Sequence, residues 1–118
     1  MSVYQTKINS FGPMAEMFQE ENMIVLFGND APEDLAEFTY NIDVNPVNGK
    51  IEEGMTVQIG GESYQITAVG NVVEKNLNDL GHITIKFDGA TEADLAGTLY
   101  VEAKEMPSID VGTEIVIK

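Results

Sequence analysis

Apolar and polar residues alternate along most of the chain, in short stretches bounded by Gly, Asn or Asp. This period of two is typical of β-strands that bury one face. The predicted fold class is therefore all-β, a closed or partly open barrel or a sandwich, with short helical turns between strands. The pattern predicts about eight short strands, at Val3–Ile8, Met23–Phe27, Glu37–Val44, Thr56–Ile59, Ser63–Val69, His82–Phe87, Thr98–Ala103 and Thr113–Ile117.

Glycine and cap residues predict how these strands are connected. In VQIGGESYQI, Gly60 and Gly61 can supply the positive φ angles of a two-residue hairpin turn. Asp30 is a candidate N-cap for a helix with Pro32 in its first turn. Gly81 is a candidate C-cap. Short helices are predicted over Pro32–Glu37, Glu74–Leu80, Thr91–Asp94 and Met14–Glu20.

Two pairs of segments resemble each other. LFGNDAPEDLAEFTY, residues 26–40, is similar to KFDGATEADLAGTLY, residues 86–100. Residues 51–59 share a Gly-turn-strand pattern with residues 109–117. The pairs indicate two β-units of like plan, an internal pseudo-duplication in which Asn22 takes the place of His82. Chance recurrence of caps and turns is the alternative, since both are common in β proteins.

Composition narrows the class of protein. The chain has 118 residues, one histidine, no cysteine and a formal net charge of −14. That length predicts a single domain over residues 1–118. The acidic surface disfavours nucleic-acid or membrane-surface binding, because both need clusters of Lys or Arg. No signal peptide or apolar spanning run is present, which favours a cytoplasmic protein without membrane insertion.

The one histidine is the main candidate for chemistry. Strand parity places His82, Thr84 and Lys86 on the outer face and turns Ile83 and Ile85 inward. A neutral imidazole can accept a phosphoryl group, which the Thr84 hydroxyl could hydrogen-bond and the Lys86 ammonium could partly balance. Taken without any family resemblance, a surface histidine with no role is the favoured interpretation, because no triad motif frames it.

Other residue groups suggest less chemistry. The carboxylates form no metal-binding pattern, and we expect them to be solvated. Met14, Met17 and Met23 are expected to fill the core, although a methionine-rich surface near Phe18 could instead serve a partner.

One stretch resembles a known family. SYQITAVGNVVEKNLNDLGHITIKFDG, residues 63–89, is similar to the glucitol/sorbitol-specific enzyme IIA component of the bacterial phosphotransferase system (PTS). The resemblance starts at Tyr4-Gln5-Thr6 and continues through Ala31-Pro32 and Asp34-Leu35 to the last Gly-turn-strand. It implies a phosphohistidine carrier without cofactor, one part of a phosphotransferase. Its partners would be the phosphocarrier protein HPr and the IIB/IIC components of a hexitol permease. Nothing in the sequence points to a particular oligomeric state.

The chain departs from the family at one place. Family members carry an H-x-H-like arrangement in the strand after APxDL, whereas here those positions are Ile42 and Val44. Either His82, which matches a family histidine, is the acceptor, or the chain has lost phosphotransfer and binds permease or regulator proteins. A third class, a barrel that binds a small molecule, predicts an open apolar lumen.

Overall fold

A computed structural model describes residues 2–28 and 32–118, and its main feature is a closed β-barrel. All eight predicted strands are confirmed in position, and the order around the barrel is β1-β3-β2-β6-β7-β5-β4-β8. Antiparallel pairing of β8 with β1 closes the ring. The strands are β1 Tyr4–Phe11, β2 Met23–Phe27, β3 Tyr40–Ile42, β4 Thr56–Ile59, β5 Glu62–Val69, β6 Ile83–Lys86, β7 Thr98–Val101 and β8 Glu114–Ile117.

Alternate residues of the strands point into the barrel and fill it. The apolar positions are almost completely buried, as the period of two requires. The interior is a packed core, which does not fit the alternative of an open lumen for a small molecule. Its members include Ile8, Ile24, Leu26, Ile42, Val57, Ile59, Ile66, Ile83, Ile85, Leu99, Val101, Ile115 and Ile117.

The barrel has internal twofold symmetry, as the repeated segments predicted. β2 and β3 are paired in parallel, and so are β6 and β7, with the same separation of 14 residues between paired positions (40 − 26 and 98 − 84). The β1–β3 and β5–β7 pairs each contain a register shift, after Ile8 and Ile66 respectively. If β1, β2, β3 and β4 are exchanged with β5, β6, β7 and β8 respectively, the strand order around the barrel is the same but runs in the opposite direction.

Turn positions follow the same symmetry and correct one predicted equivalence. Gly54 and Gly112 have φ angles of 90° and 91° at corresponding turns. Asn22 and Gly81 have φ angles of 60° and 66°, and each follows a helix and precedes a strand. Asn22 is therefore equivalent to Gly81, and the predicted equivalence of Asn22 with His82 is wrong by one position.

Three of the four predicted helices are present. Helix α1, Glu33–Ala36, has Pro32 at its N-cap and not in its first turn. Asp30, the predicted cap, lies outside the described residues. Helix α2, Val73–Asp79, is followed by left-handed Gly81, as predicted. A 3-10 helix spans Ala15–Glu21.

The predicted helix at Thr91–Asp94 is wrong, since that segment forms bends. The N–H of Leu95 donates to the Tyr100 hydroxyl at 3.1 Å, so it is not available to the carbonyl of Thr91 in a helical bond. The Ala90 carbonyl accepts from the Thr67 hydroxyl at 2.6 Å, which ties the segment to β5.

Two further expectations change. The hairpin of β4 and β5 is confirmed, with Ile59 opposite Glu62, but only Gly60 has a positive φ, of 60°. The prediction that Met14 and Met17 fill the core is wrong, because their side chains are 40% and 54% exposed. Both lie at the 3-10 helix, on the outside of the closed barrel.

Within the described residues, no helix is long and apolar enough to cross a membrane.

Candidate functional site

His82 lies where helix α2 turns into strand β6. The left-handed Gly81 reverses the chain after the helix, and the His82 N–H donates to the carbonyl of Asn76 at 3.3 Å. The predicted parity is confirmed, because Ile83 and Ile85 are buried whereas His82 is half-buried on the outer face. The imidazole is thus partly open to solvent at the end of a rigid strand.

Two contacts fix the orientation of the imidazole ring. It stacks on the ring of Phe27, with centroids 4.3 Å apart and an angle of 31° between the planes. Its Nδ1 lies 3.2 Å from the carbonyl oxygen of Leu26. A carbonyl oxygen only accepts, so this hydrogen bond requires a proton on Nδ1 and leaves the lone pair on Nε2.

The two other predicted site residues follow His82 on the outer face of β6. Thr84 is half-buried and lies about 7 Å along the strand from His82, given the usual rise per residue. Lys86 lies about 13 Å away by the same measure. Its Nζ is 3.7 Å from a carboxylate oxygen of Asp88. The strand therefore brings Thr84 near the imidazole and places the Lys86 ammonium next to a carboxylate.

Val44, at one of the positions where histidine was expected, lies beside the His82 segment. A Cβ atom added to Gly81 would be 3.3 Å from Cγ2 of Val44, and one added to Gly28 would collide with the same methyl group. Val44 is 41% exposed. Ile42 is fully buried in the barrel core. Position 44 and His82 therefore belong to one surface, whereas the side chain at position 42 lies inside.

Sequence reasoning missed two residues of this surface, Phe27 and Asn41. In the register of β2 and β3, Phe27 lies opposite Asn41, whose Nδ2 donates to the Gly28 carbonyl at 3.0 Å. Strand parity in β2 could have identified Phe27, because Ile24 and Leu26 point inward and Phe27 must then point outward. No signal in the sequence marks Asn41, whose role depends on the pairing of β3 with β2.

Among the residues that the structure describes, no three His, Asp or Glu side chains come together to hold a metal ion.

Comparisons with known proteins identify a family and agree with the fold. Residues 3–116 match the family model described as PTS system glucitol/sorbitol-specific IIA component. The glucitol/sorbitol-specific EIIA component of Shigella flexneri is 37% identical over 99 residues, which cover 84% of this chain and 80% of that protein. The component of Escherichia coli strain K12 gives the same values.

A solved structure supports the same relationship. The crystal structure of a PTS IIA component from Enterococcus faecalis V583 superposes with a TM-score of 0.80 at 26% identity, covering 95% of this chain and 97% of that one. The family match spans nearly the whole chain, and the predicted resemblance is confirmed. The chain belongs to the family of glucitol/sorbitol-specific IIA components of the PTS.

Proposed function

We propose that this protein is a cytoplasmic phosphocarrier that accepts a phosphoryl group from HPr on Nε2 of His82. It would pass the group to the IIB part of a glucitol/sorbitol permease during uptake of the sugar alcohol. The observation that carries the proposal is the geometry of the one imidazole in the chain. Its Nδ1 is held at 3.2 Å by the Leu26 carbonyl, and the ring rests on Phe27, so Nε2 is left as the nucleophile.

In the first transfer the phosphoryl group moves from an imidazole of HPr to the imidazole of His82. The lone pair of Nε2 attacks the phosphorus atom of phosphohistidine on HPr. The N–P bond to HPr breaks as the new bond forms, and its electron pair returns to the imidazole of HPr. The ring of His82 keeps the proton on Nδ1, and the positive charge that the ring acquires faces the Leu26 carbonyl dipole. In the transfer to IIB, a nucleophilic group of IIB attacks the phosphorus atom, the bond to Nε2 of His82 breaks, and its electron pair returns to the imidazole.

Thr84 is proposed to hydrogen-bond the phosphoryl oxygens, because its side chain follows His82 on the same face. Lys86 is proposed to balance part of the phosphoryl charge, which requires its ammonium to leave Asp88. Both roles stay predictions, as does the single domain over residues 1–118. The charge of −14 limits how much a further anionic group is stabilised, and this favours onward transfer over retention.

The runner-up function is a IIA-like module that binds permease or regulator proteins and carries no phosphate. It is favoured by the side chains at positions 42 and 44, since Ile42 and Val44 have no nitrogen to phosphorylate. The two functions differ in one property, which is whether the protein takes up phosphate at all.

Incubation with enzyme I, HPr and labelled phosphoenolpyruvate distinguishes them. We expect label that is lost in acid and kept in base, as for phosphohistidine, and no label in His82→Gln. The substitution is a clean test because the chain holds no second histidine. A wild-type protein that stays unlabelled would contradict the phosphocarrier function and favour the runner-up. Label that persists in His82→Gln would show that another side chain is the acceptor.

A further inference from the structure

Four large apolar side chains are exposed at the end of β1, at the 3-10 helix and on helix α1. We call this set of side chains the methionine patch. Its members are Phe11, Met14, Met17 and Leu35, which are 36%, 40%, 54% and 44% exposed.

The fold holds the two segments of the methionine patch together. The Met14 N–H donates to the carbonyl of Glu37 at 2.8 Å, which joins the start of the 3-10 helix to the end of the α1 segment. The ring of Phe18 in the 3-10 helix also packs on the ring of Phe38 after α1, with centroids 5.9 Å apart. Met14 and Met17 are one 3-10 turn apart and therefore project from the same side. The two segments that carry the patch are therefore joined by a backbone hydrogen bond and an aromatic contact.

The internal symmetry supplies a comparison for the methionine patch within the same chain. The bond from the Met14 N–H to Glu37 has an equivalent of 3.0 Å from the Val72 N–H to the carbonyl of Ala96. Counting three residues onward from Met14 and Val72 makes Met17 equivalent to Lys75.

The same counting applies to the other members. The two hydrogen bonds make Glu37 equivalent to Ala96. Leu35 and Asp94 each lie two residues earlier and are therefore equivalent. The counterpart of the Phe18–Phe38 pair is Asn76 and Gly97. These two residues are also close together, since a Cβ atom added to Gly97 would lie 3.3 Å from Nδ2 of Asn76. The other half of the barrel folds with polar or small residues at the positions equivalent to Met17, Leu35 and the aromatic pair. The barrel itself therefore does not require exposed apolar side chains there.

The charged residues within the segments that carry the methionine patch have one sign. Between Lys7 and Lys50 the sequence contains no Lys or Arg. The carboxylates that follow and precede the apolar residues on the 3-10 helix and α1 are Glu16, Glu20, Glu21, Glu33, Asp34 and Glu37. An apolar centre within an anionic rim is complementary to a surface with apolar side chains flanked by Lys or Arg.

We propose that the methionine patch is a docking site for a cationic amphipathic helix of another protein. The apolar face of such a helix covers Met14, Met17 and Leu35, and its basic residues pair with the surrounding carboxylates. Methionine side chains suit this use because they adapt to differently shaped apolar partners. The inference is independent of phosphate transfer at His82.

The test uses the full-length protein and a synthetic amphipathic helix of about 18 residues built from Leu and Lys. A peptide with Glu in place of Lys is the charge control. We expect the Leu/Lys peptide to bind, and the Leu/Glu peptide not to bind, in isothermal titration calorimetry. Leu35→Asp should weaken binding by about tenfold or more, although it makes the protein more negative.

Matched variants keep the result interpretable. Leu95→Asp makes the same change at a residue that is 61% exposed on the other half of the barrel, and binding should then stay at the wild-type value. Aspartate occupies the position symmetric to Leu35, so the variant should fold, which circular dichroism checks. The proposal is overturned if the wild type fails to bind, if Leu35→Asp binds as tightly as the wild type, or if sedimentation shows the patch buried in a dimer that Leu35→Asp disperses.

Discussion

The buried hydroxyl of Tyr4 affects both the packing of the barrel and the pH dependence of its stability. Its side chain is 1% exposed, and no hydrogen-bond partner for its hydroxyl lies among the described residues. The neighbouring Thr6 hydroxyl donates to the carbonyl of Asp43 at 2.8 Å instead. Burial disfavours the charged phenolate and raises the pKa of Tyr4 from 10.0 to about 12.

We expect Tyr4→Phe to keep or raise the stability of the protein at neutral pH, by up to about 1 kcal/mol, because it removes a buried hydroxyl without a partner. Above pH 10 the unfolded wild type ionises Tyr4 while the folded protein does not. The wild type should therefore lose about 2 kcal/mol between pH 10 and pH 12 relative to the variant.

Urea unfolding at neutral pH and at pH 12 measures this difference. Burial also raises the pKa of Tyr40 and Tyr64, so only the comparison with Tyr4→Phe isolates Tyr4. An equal loss of stability in the two proteins on going to alkaline pH would show that Tyr4 ionises in the folded state near its ordinary pKa.

At the scale of elements, the junction between α2 and β6 determines where the imidazole lies. Gly81 has a φ of 66°, and a Cβ atom added to it would lie 3.1 Å from the N of Gly28 and 3.3 Å from Cγ2 of Val44. Gly81 thus combines a left-handed backbone with close packing. Gly54 has a φ of 90° but open space around it, so it serves as the matched control.

Gly54→Ala should cost about 1 to 2 kcal/mol through its backbone conformation alone. Gly81→Ala should lower the free energy of unfolding by about 1 kcal/mol more than Gly54→Ala does, because the added methyl group also crowds Gly28 and Val44. Chemical unfolding of both variants measures the difference. Equal costs would mean that the packing around Gly81 adds nothing to the requirement for glycine.

Sequence periodicity predicted the strands because one face of each strand is buried in a single core, which leaves a period of two in the residues. The predicted strand Glu37–Val44 was too long, since the structure keeps only Tyr40–Ile42. The Thr91–Asp94 helix failed because the Tyr100 hydroxyl captures the Leu95 N–H, a contact set by tertiary structure. The outward position of His82 was predictable from parity, whereas its contacts with Phe27 and Leu26 depend on strand pairing.

At the scale of the whole molecule, the symmetry of the barrel makes a direct prediction. Gly12 and Gly70 are equivalent, and each N–H donates to a threonine carbonyl, at 3.2 Å to Thr39 and at 3.0 Å to Thr98. A Cβ atom at either glycine would collide with the backbone of the other segment, near Ala36 or Ala96. The two close approaches are therefore the same structural feature used twice.

Gly12→Ala and Gly70→Ala should each lower the free energy of unfolding by about 3 kcal/mol, because the backbone must separate to admit a methyl group. The control is Gly61→Ala, where nothing lies within 4 Å, and it should change stability by less than about 0.5 kcal/mol. Thermal unfolding compares the three variants. A large cost at only one of the two equivalent positions would contradict the symmetric account.

The imidazole of His82 has no counterpart in the other half of the barrel, and the proposed phosphocarrier function depends on it. The most direct test is a long-range proton–nitrogen NMR correlation spectrum of the protein after phosphorylation by enzyme I, HPr and phosphoenolpyruvate. We expect phosphorus bonded to Nε2 of His82, with the proton kept on Nδ1 against the Leu26 carbonyl. An imidazole that stays unmodified, or phosphorus on Nδ1, would contradict it.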